Sequence, residues 1–427
     1  MGLATSAGWA AFQSADFRFF CAARFLIGLA RQAQNVAVGL FVYDVTQSAW
    51  ALGLIGLFTF APSMALVLFT GHVADAYDRR VVAVVTDAVS GLAAAGLFVC
   101  AWFDISQMWP VYGLVAVAGA ARAFGNPASQ AMVANLVPRE RFANAIAWDQ
   151  TISQTATISG PAVGGLLYAV DASLAFAAAG LAAFAATLFT AAIRVRTVKP
   201  AREKVSLRTL AAGLTFIRSQ PVILGAITLD FVAVMLGGVT ALLPIFAQEV
   251  LNVGPWGVGV LRSMQAVGAL CMATFLAHWP LTDRRAGLRL LQGVAVYGLA
   301  TLVFGLSTNF LLSAACMFVI GAADMISLVV RMTLVQIDTP DLMRGRVAAV
   351  NSFLTGASNS LGEFESGAVA ALIGAVPTVL IGGAAGIVLA VLWARLFPHL
   401  RERDRLIPEA RDPELREAGK REAAPAS

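Results

Sequence analysis

Arg24, Arg31, Arg122, Arg262 and Arg331, with Asp87, Asp149, Asp230, Asp324, Glu363 and Glu365, all lie in long apolar stretches of this 427-residue chain. An ion at the centre of a bilayer costs at least about 2.5–3.5 kcal/mol on insertion scales, so each needs a partner or a task. Arg24, Gly28, Arg31 and Asn35 follow one another at three or four residues and share a helix face, flanked by Gln32 and Gln34. Arg122, Asn126 and Ser129 make a second such stripe, and Asp324, Ser327 and Arg331 a third. Asp230 stands apart in its own stretch. A carboxyl group in apolar surroundings favours its neutral form, and an approaching arginine favours the carboxylate. Such a pair can bind and release a proton as its partner comes and goes. Asp324 and Asp230 are therefore the candidate proton carriers and Arg122 the candidate switching partner. Arg24, Arg31, Gln34, Asn35, Asn126, Ser327, Arg331 and Glu363 are candidate linings of a polar pathway. Glu363 and Glu365, two apart, point to different helix faces, so at most one serves it. Asp87 and Arg262 read as bracing.

The stretches that must position these groups fill the chain. Hydrophobic residues make up 59% and charged residues 13%, with mean hydropathy +0.76. A soluble protein of this length needs more charge to cover its surface. A helix crossing a bilayer core of about 30 Å needs roughly 20 mostly apolar residues. Twelve such spans are predicted: 17–43, 50–71, 81–102, 109–136, 142–169 and 172–193, then 222–248, 256–279, 287–306, 309–336, 347–373 and 376–396. The fold class is all-α integral membrane. An N-terminal six-helix half covers 1–193 and a C-terminal one 222–397, with a linker at 194–221 and a charged tail, read as disordered, at 398–427. In the linker, Ser206 can cap a short helix with Leu207, Leu210, Leu214 and Ile217 on one face, expected along the inner membrane surface.

Orientation follows from the basic residues. All but five of the 30 Lys and Arg fall in loops on the side of the N-terminus; the five are the arginines inside spans. Both termini and the linker are thus expected in the cytoplasm, with the chain in the cytoplasmic (inner) membrane. The pI of about 9.3 reflects these loops and not a nucleic-acid surface. Cys21, Cys100, Cys271 and Cys316 lie in apolar stretches without disulfide or CxxC spacing. His72, His278 and His399 are not grouped for a metal, and no GxxxxGK[ST] loop or nucleophile–base constellation is present. The reading is a non-enzymatic protein without metal or cofactor. Its partners are the bilayer, protons and a small-molecule substrate, and it acts as a monomer.

The halves repeat. At an offset of 202, Gly119-Ala120-Ala121-Arg122 falls on Gly321-Ala322-Ala323-Asp324, Pro138 on Pro340, Gly160 on Gly362 and Gly165 on Gly367. At 206, Arg24-Phe25 meets Asp230-Phe231. Arginines of one half thus stand where aspartates stand in the other. Pairs could form across the interface in one state and break in another; the alternative is static pairing within each half. Two related six-helix halves are the plan of a rocker transporter with its site near the midplane.

At this point the chain resembles the major facilitator superfamily. Gly71-His72-Val73-Ala74-Asp75-Ala76-Tyr77-Asp78-Arg79-Arg80 is similar to its signature loop between spans 2 and 3, with Ala76 for a usual Arg and Asp78 for a usual Gly. Gly160-Pro161-Ala162-Val163-Gly164-Gly165 resembles the span 5 signature of exporting branches. Arg331 to Pro340, Arg344-Gly345-Arg346 and Ser358 to Gly367 resemble the prokaryotic branch of enterobactin exporters, the transmembrane secretion effectors. The resemblance implies that spans 1, 4, 7 and 10 line a central cavity. It implies that Gly71, Asp75, Arg79 and Arg80 form a cytoplasmic gate, Asp75 locking onto span 11. It also implies that Gly160, Pro161, Gly164 and Gly165 hinge or pack span 5. The function expected is proton-coupled efflux of a small organic molecule such as a siderophore, drug or secondary metabolite. An importer of the same fold for a sugar, acid or peptide is the alternative, and a receptor or scaffold has little need of five buried arginines.

Overall fold

Each apolar segment is helical in the computed structural model, which describes residues 8–194, 207–279 and 285–401, and for 67–76, 134, 207–210 and 341–342 the backbone alone. The helices of the first half are Ala15–Thr46, Ala49–Ala76, Arg79–Trp102, Trp109–Leu136, Phe142–Val170 and Ala172–Ala192, here spans 1 to 6. Spans 8 to 12 are Pro255–His278, Ala286–Leu306, Phe310–Ile337, Asp341–Ile373 and Ala375–Leu396. Polar caps start several of them. Ser14 accepts from the Phe17 N–H, Asp78 from that of Arg80, and Asn309 from those of Leu311 and Leu312. At the start of span 6, Asp171 accepts from the N–H groups of Ser173 and Leu174 and from the Ser173 hydroxyl. These hydrogen bonds hold its carboxyl below the ordinary range.

Nine helices among the described residues are long and apolar enough to cross a membrane, and spans 4, 5 and 11 fall short. Spans 4, 5 and 11 carry polar stripes, so low hydropathy marks segments that turn polar residues inward. The eight tryptophans divide evenly between the two ends: Trp50, Trp102, Trp109 and Trp256 at one, Trp9, Trp148, Trp279 and Trp393 at the other. That is the placement expected at two membrane–water interfaces.

Span 7 departs from the continuous segment at 222–248. It runs as Pro221–Leu236, breaks at Gly237-Gly238, resumes as Val239–Ile245 and ends in a π-helical turn, Phe246–Val250. Two glycines in series weaken the helix. The break is then held from outside: Tyr297 donates a 3.0 Å hydrogen bond to the Gly237 carbonyl. A Cβ on Gly238 would sit 2.2 Å from the Ser366 hydroxyl.

The linker helix Leu207–Ser219 is present, but its buried line differs from the expected stripe. Gly213 rests on the Arg346 carbonyl of span 11. Ile217 packs among Ile223, Val347 and Val350, while Leu214 faces outward. The missing Cβ at Gly213 lets the helix dock on the start of span 11, so it is part of the second half. Ser206, the side chains of Leu207 and Leu210, and the tail from 402 lie outside what is described.

Two seams join the halves: span 5 packs on span 8, and span 11 on span 2. Both are made of glycine. Cβ atoms built on Gly165 and Gly259 would lie 3.0 Å from Gly259 Cα and 2.5 Å from the Pro161 carbonyl, respectively. One on Gly367 would lie 2.4 Å from Gly53 Cα. Gly165 and Gly367 are repeat partners at 202, and Gly53 and Gly259 at 206. The repeat thus builds each seam once. Close backbone approach replaces the hydrophobic driving force that helices lack inside lipid.

Candidate substrate pathway between the halves

The intramembrane ions sort by half. In the first, Arg24 of span 1 reaches Asp149 of span 5 at 3.1 Å. Arg31 meets Asp87 of span 3 at 3.8 Å and donates to Asn126 of span 4 at 2.8 Å. In the second, Arg331 of span 10 meets Asp230 of span 7 at 3.2 Å and donates to Asn351 at 2.7 Å and Thr355 at 3.1 Å. Arg262 of span 8 meets Glu363 of span 11 at 3.8 Å. Each pair stays within one half. The cross-half pairing of Arg24 with Asp230 is therefore not formed in this conformation, because both are engaged by nearer helices of their own half. Bracing describes Asp87 and Arg262 in part, since each is the partner of another charge.

Arg122 and Asp324 are left over. Neither has an ion pair or hydrogen bond among the described residues. Arg122 lies within reach of the charges of Arg31 in its own half and of Glu363 in the other. Asp324 lies near Asp230 and Arg331, whose charges both act on it.

The lining divides less simply. Asn35, Gly39, Thr240, Arg262 and Glu363 surround a cavity of about 380 Å³ of empty space, part of it open, beneath the joined ends of spans 1 and 7. Asn35 is exposed; Gln34 and Asn126 are half-buried. Ser327 and Arg331 are 5% and 2% exposed and do not line an open wall. The Ser327 hydroxyl turns back to the Ala323 carbonyl, and Arg331 is enclosed by its three partners.

At the gate segment, Gly71 and Asp75 lie on the helical backbone of span 2, which runs to Ala76, and not in a loop. Their side chains are outside what is described. Arg79 donates to the Ala131 carbonyl and Arg80 to that of Ala191, tying span 3 to spans 4 and 6. In span 5 the helix passes through Pro161 without a break. Gly160 fits against Gln32 and Gly164 against Ala33 of span 1, while Gly165 meets span 8. The whole run is a packing surface.

A second network was not read from the sequence. Where spans 1 and 7 end, Tyr43 donates to Glu249, and Gln248 donates to Asp44 at 2.6 Å. Tyr168 of span 5 also donates to Asp44, at 2.6 Å. The Tyr43–Glu249 and Gln248–Asp44 bonds join the halves at the end opposite the linker, while the Tyr168–Asp44 bond stays within the first half. The bond from Ser263 of span 8 to the Ile158 carbonyl of span 5, 2.7 Å, also joins the halves. A signal existed: Tyr43-Asp44 falls on Gln248-Glu249 at an offset of 205, within the drift of the repeat.

The model of the transmembrane secretion effector family matches residues 6–425. The chain is 26% identical over 392 residues to the enterobactin exporter EntS of Shigella dysenteriae serotype 1 and 27% identical over 392 residues to that of Citrobacter koseri; each match covers 90% of this chain and 92% of the relative. In fold it matches the nucleoside transporter NupG, with TM-score 0.68 at 14% identity over 90% of this chain and 99% of that one. It also matches a bacterial homologue of the human lysosomal transporter Spinster in an inward-facing, occupied conformation, with TM-score 0.71 at 13% identity over 92% and 98%. Glycine seams between two six-helix halves, intramembrane ion pairs held inside each half and a family match along nearly the whole chain agree: this multi-pass membrane protein belongs to the transmembrane secretion effector family of the major facilitator superfamily and is an efflux transporter of a small molecule.

Proposed function

We propose that the protein is a monomeric proton-driven antiporter of the cytoplasmic membrane that exports a siderophore or a comparable secondary metabolite. The observation that carries the proton coupling is the carboxyl group of Asp324, inside span 10 without an ion-pair partner among the described residues, while Arg122, its repeat partner in the other half, is equally without one. Asp230, held by Arg331, is the runner-up carrier. The relatives' name supports the substrate class. The bonds joining the halves lie at the end opposite the linker, which supports a pathway open toward the linker side. By the distribution of basic loops that side is the cytoplasm, where an exporter loads.

Inverted membrane vesicles acidified inside by respiration provide the test. Vesicles holding the protein accumulate enterobactin or another cargo from a siderophore and drug panel, and a protonophore abolishes the accumulation. Accumulation that ignores the protonophore overturns the coupling. Accumulation only in right-side-out vesicles overturns the direction.

Orientation is tested separately. Reporter fusions at Lys199 and Arg411, active only after export, are expected to be silent; activity at either site overturns the topology. At the gate segment, Asp75→Asn is expected to leave the protein folded, cut transport and shift the resting state further toward inward-open, because a carboxylate facing the N-terminus of span 11 steadies the opposite state. Unchanged transport with unchanged thiol accessibility on the linker side would make Asp75 a solvated helix-end carboxylate.

A further inference from the structure

Charge bookkeeping across the interface identifies what the pathway is built to hold. The first half presents Arg24, Arg31 and Arg122 against Asp87 and Asp149, one positive charge in excess. The second presents Arg262 and Arg331 against Asp230, Asp324 and Glu363, one negative charge in excess. Glu365, two residues beyond Glu363 and on another face of its helix, is bonded to the Ser366 hydroxyl beside it. Asp44 and Glu249 are taken up at the closed end. The excess on each wall is one residue: Arg122 on span 4, Asp324 on span 10. They are repeat partners at an offset of 202, one in each half and at matching places along their helices. Neither wall can neutralise its own excess by rearranging its ions, because every other ion counted there already has a partner; a proton can neutralise Asp324, but Arg122 needs an anion. Leaving either charge unpartnered in a low-dielectric site is costly.

We infer that the substrate is a zwitterion, bearing an anionic acid group that Arg122 receives and a cationic group that Asp324 receives. One molecule of that kind quenches both walls in a single binding event. An anion alone leaves the proton on Asp324 and expels nothing, and a cation alone leaves Arg122 bare. The inference rests on the antiport reading and explains it. The substrate's cation and a proton compete for the same Asp324 carboxyl, so loading one expels the other. The acid group at Arg122 is untouched by that exchange and fixes the molecule's orientation.

Three xanthene dyes of matched shape test the charge requirement: zwitterionic rhodamine 110, its cationic methyl ester rhodamine 123, and anionic fluorescein. Binding to the full-length protein in lipid nanodiscs is read by fluorescence anisotropy without any gradient. Rhodamine 110 is expected to bind at least tenfold more tightly than either of the others. Arg122→Gln lowers rhodamine 110 to the level of rhodamine 123 and leaves rhodamine 123 unchanged; Asp324→Asn lowers it to the level of fluorescein. Arg122→Lys and Asp324→Glu recover part of the loss, which a folding defect would not allow. The inference fails if rhodamine 110 does not bind, if either singly charged dye matches it, or if both neutral variants bind it as the wild type does. Uphill export by the Asp324 variant is a separate measurement, so failure of the charge class and failure of proton coupling are told apart.

Discussion

Asp324→Asn should reduce gradient-driven export to the background of vesicles lacking the protein, while downhill exchange continues at saturating substrate. Asparagine keeps the shape of the side chain and loses its ability to carry a proton. Asp324 lies ~21 Å along a helix that starts at Phe310, deep in the bilayer where water cannot substitute for it. Its neighbour Asp230 is committed to Arg331, so no second carboxyl stands ready to take over. Arg122→Ala should also impair export. The double variant should lose little more than either single one, because residues of one network are not additive. Full-rate uphill export by Asp324→Asn under a pH gradient would make Asp324 structural and move the coupling elsewhere.

Gly367→Leu should lock the opposite end open and stop transport. A Cβ on Gly367 would lie 2.4 and 2.5 Å from Gly53 Cα and N and 2.7 Å from the Ala49 carbonyl. All three are backbone atoms, so nothing at the seam can swing aside. The halves must part where spans 2 and 11 cross, and the state that loads from the linker side becomes inaccessible. A cysteine at Asn35 reports the change in a background without the native cysteines. It is shielded from an impermeant thiol reagent added at the end opposite the linker when the seam is closed, and labelled when the seam is wedged. Gly165→Leu, the repeat partner, should give the same result. Gly356→Leu on the same helix as Gly367 should change nothing, since no atom lies within 4 Å of its Cβ position. Normal transport with Asn35 still shielded in Gly367→Leu would show that the seam is not a gate.

The helices were legible because lipid enforces them. With no water to satisfy backbone groups, an apolar run of spanning length must be helical, and the predicted boundaries fall within about three residues of a helix end except at the end of span 2 and the start of span 11, where the helices run on through polar residues. The break in span 7 was less legible. Gly237-Gly238 reads equally as a close-packing pair, and only Tyr297 and Ser366, distant in sequence, hold the chain open there. Partners of the buried ions were the hardest to read. The repeat aligns Arg24 with Asp230, yet alignment gives equivalent places in two halves and not contact. Which aspartate a guanidinium reaches depends on helix rotation, and spacing alone does not fix that. Arg122 and Asp324 are aligned opposites in the repeat and are also without an ion pair among the described residues. Tyr43 and Asp44 lie at the end of the last apolar turn of span 1, where a polar residue reads equally as a solvated helix end.

The four ion pairs that stay inside their own halves also bear on speed. A rigid body that swings with its counter-ions aboard never strips a guanidinium bare on the way, so the motion escapes the several kcal/mol that parting a buried pair would add to its barrier. What must be undone at each turnover is slight by comparison: glycine faces in van der Waals contact, and the three hydrogen bonds that Gln248, Glu249 and Ser263 make to the first half, which water can replace as the end opens. The pace of the cycle is then set at the rim, while the charges in the middle decide only which occupant lets it run.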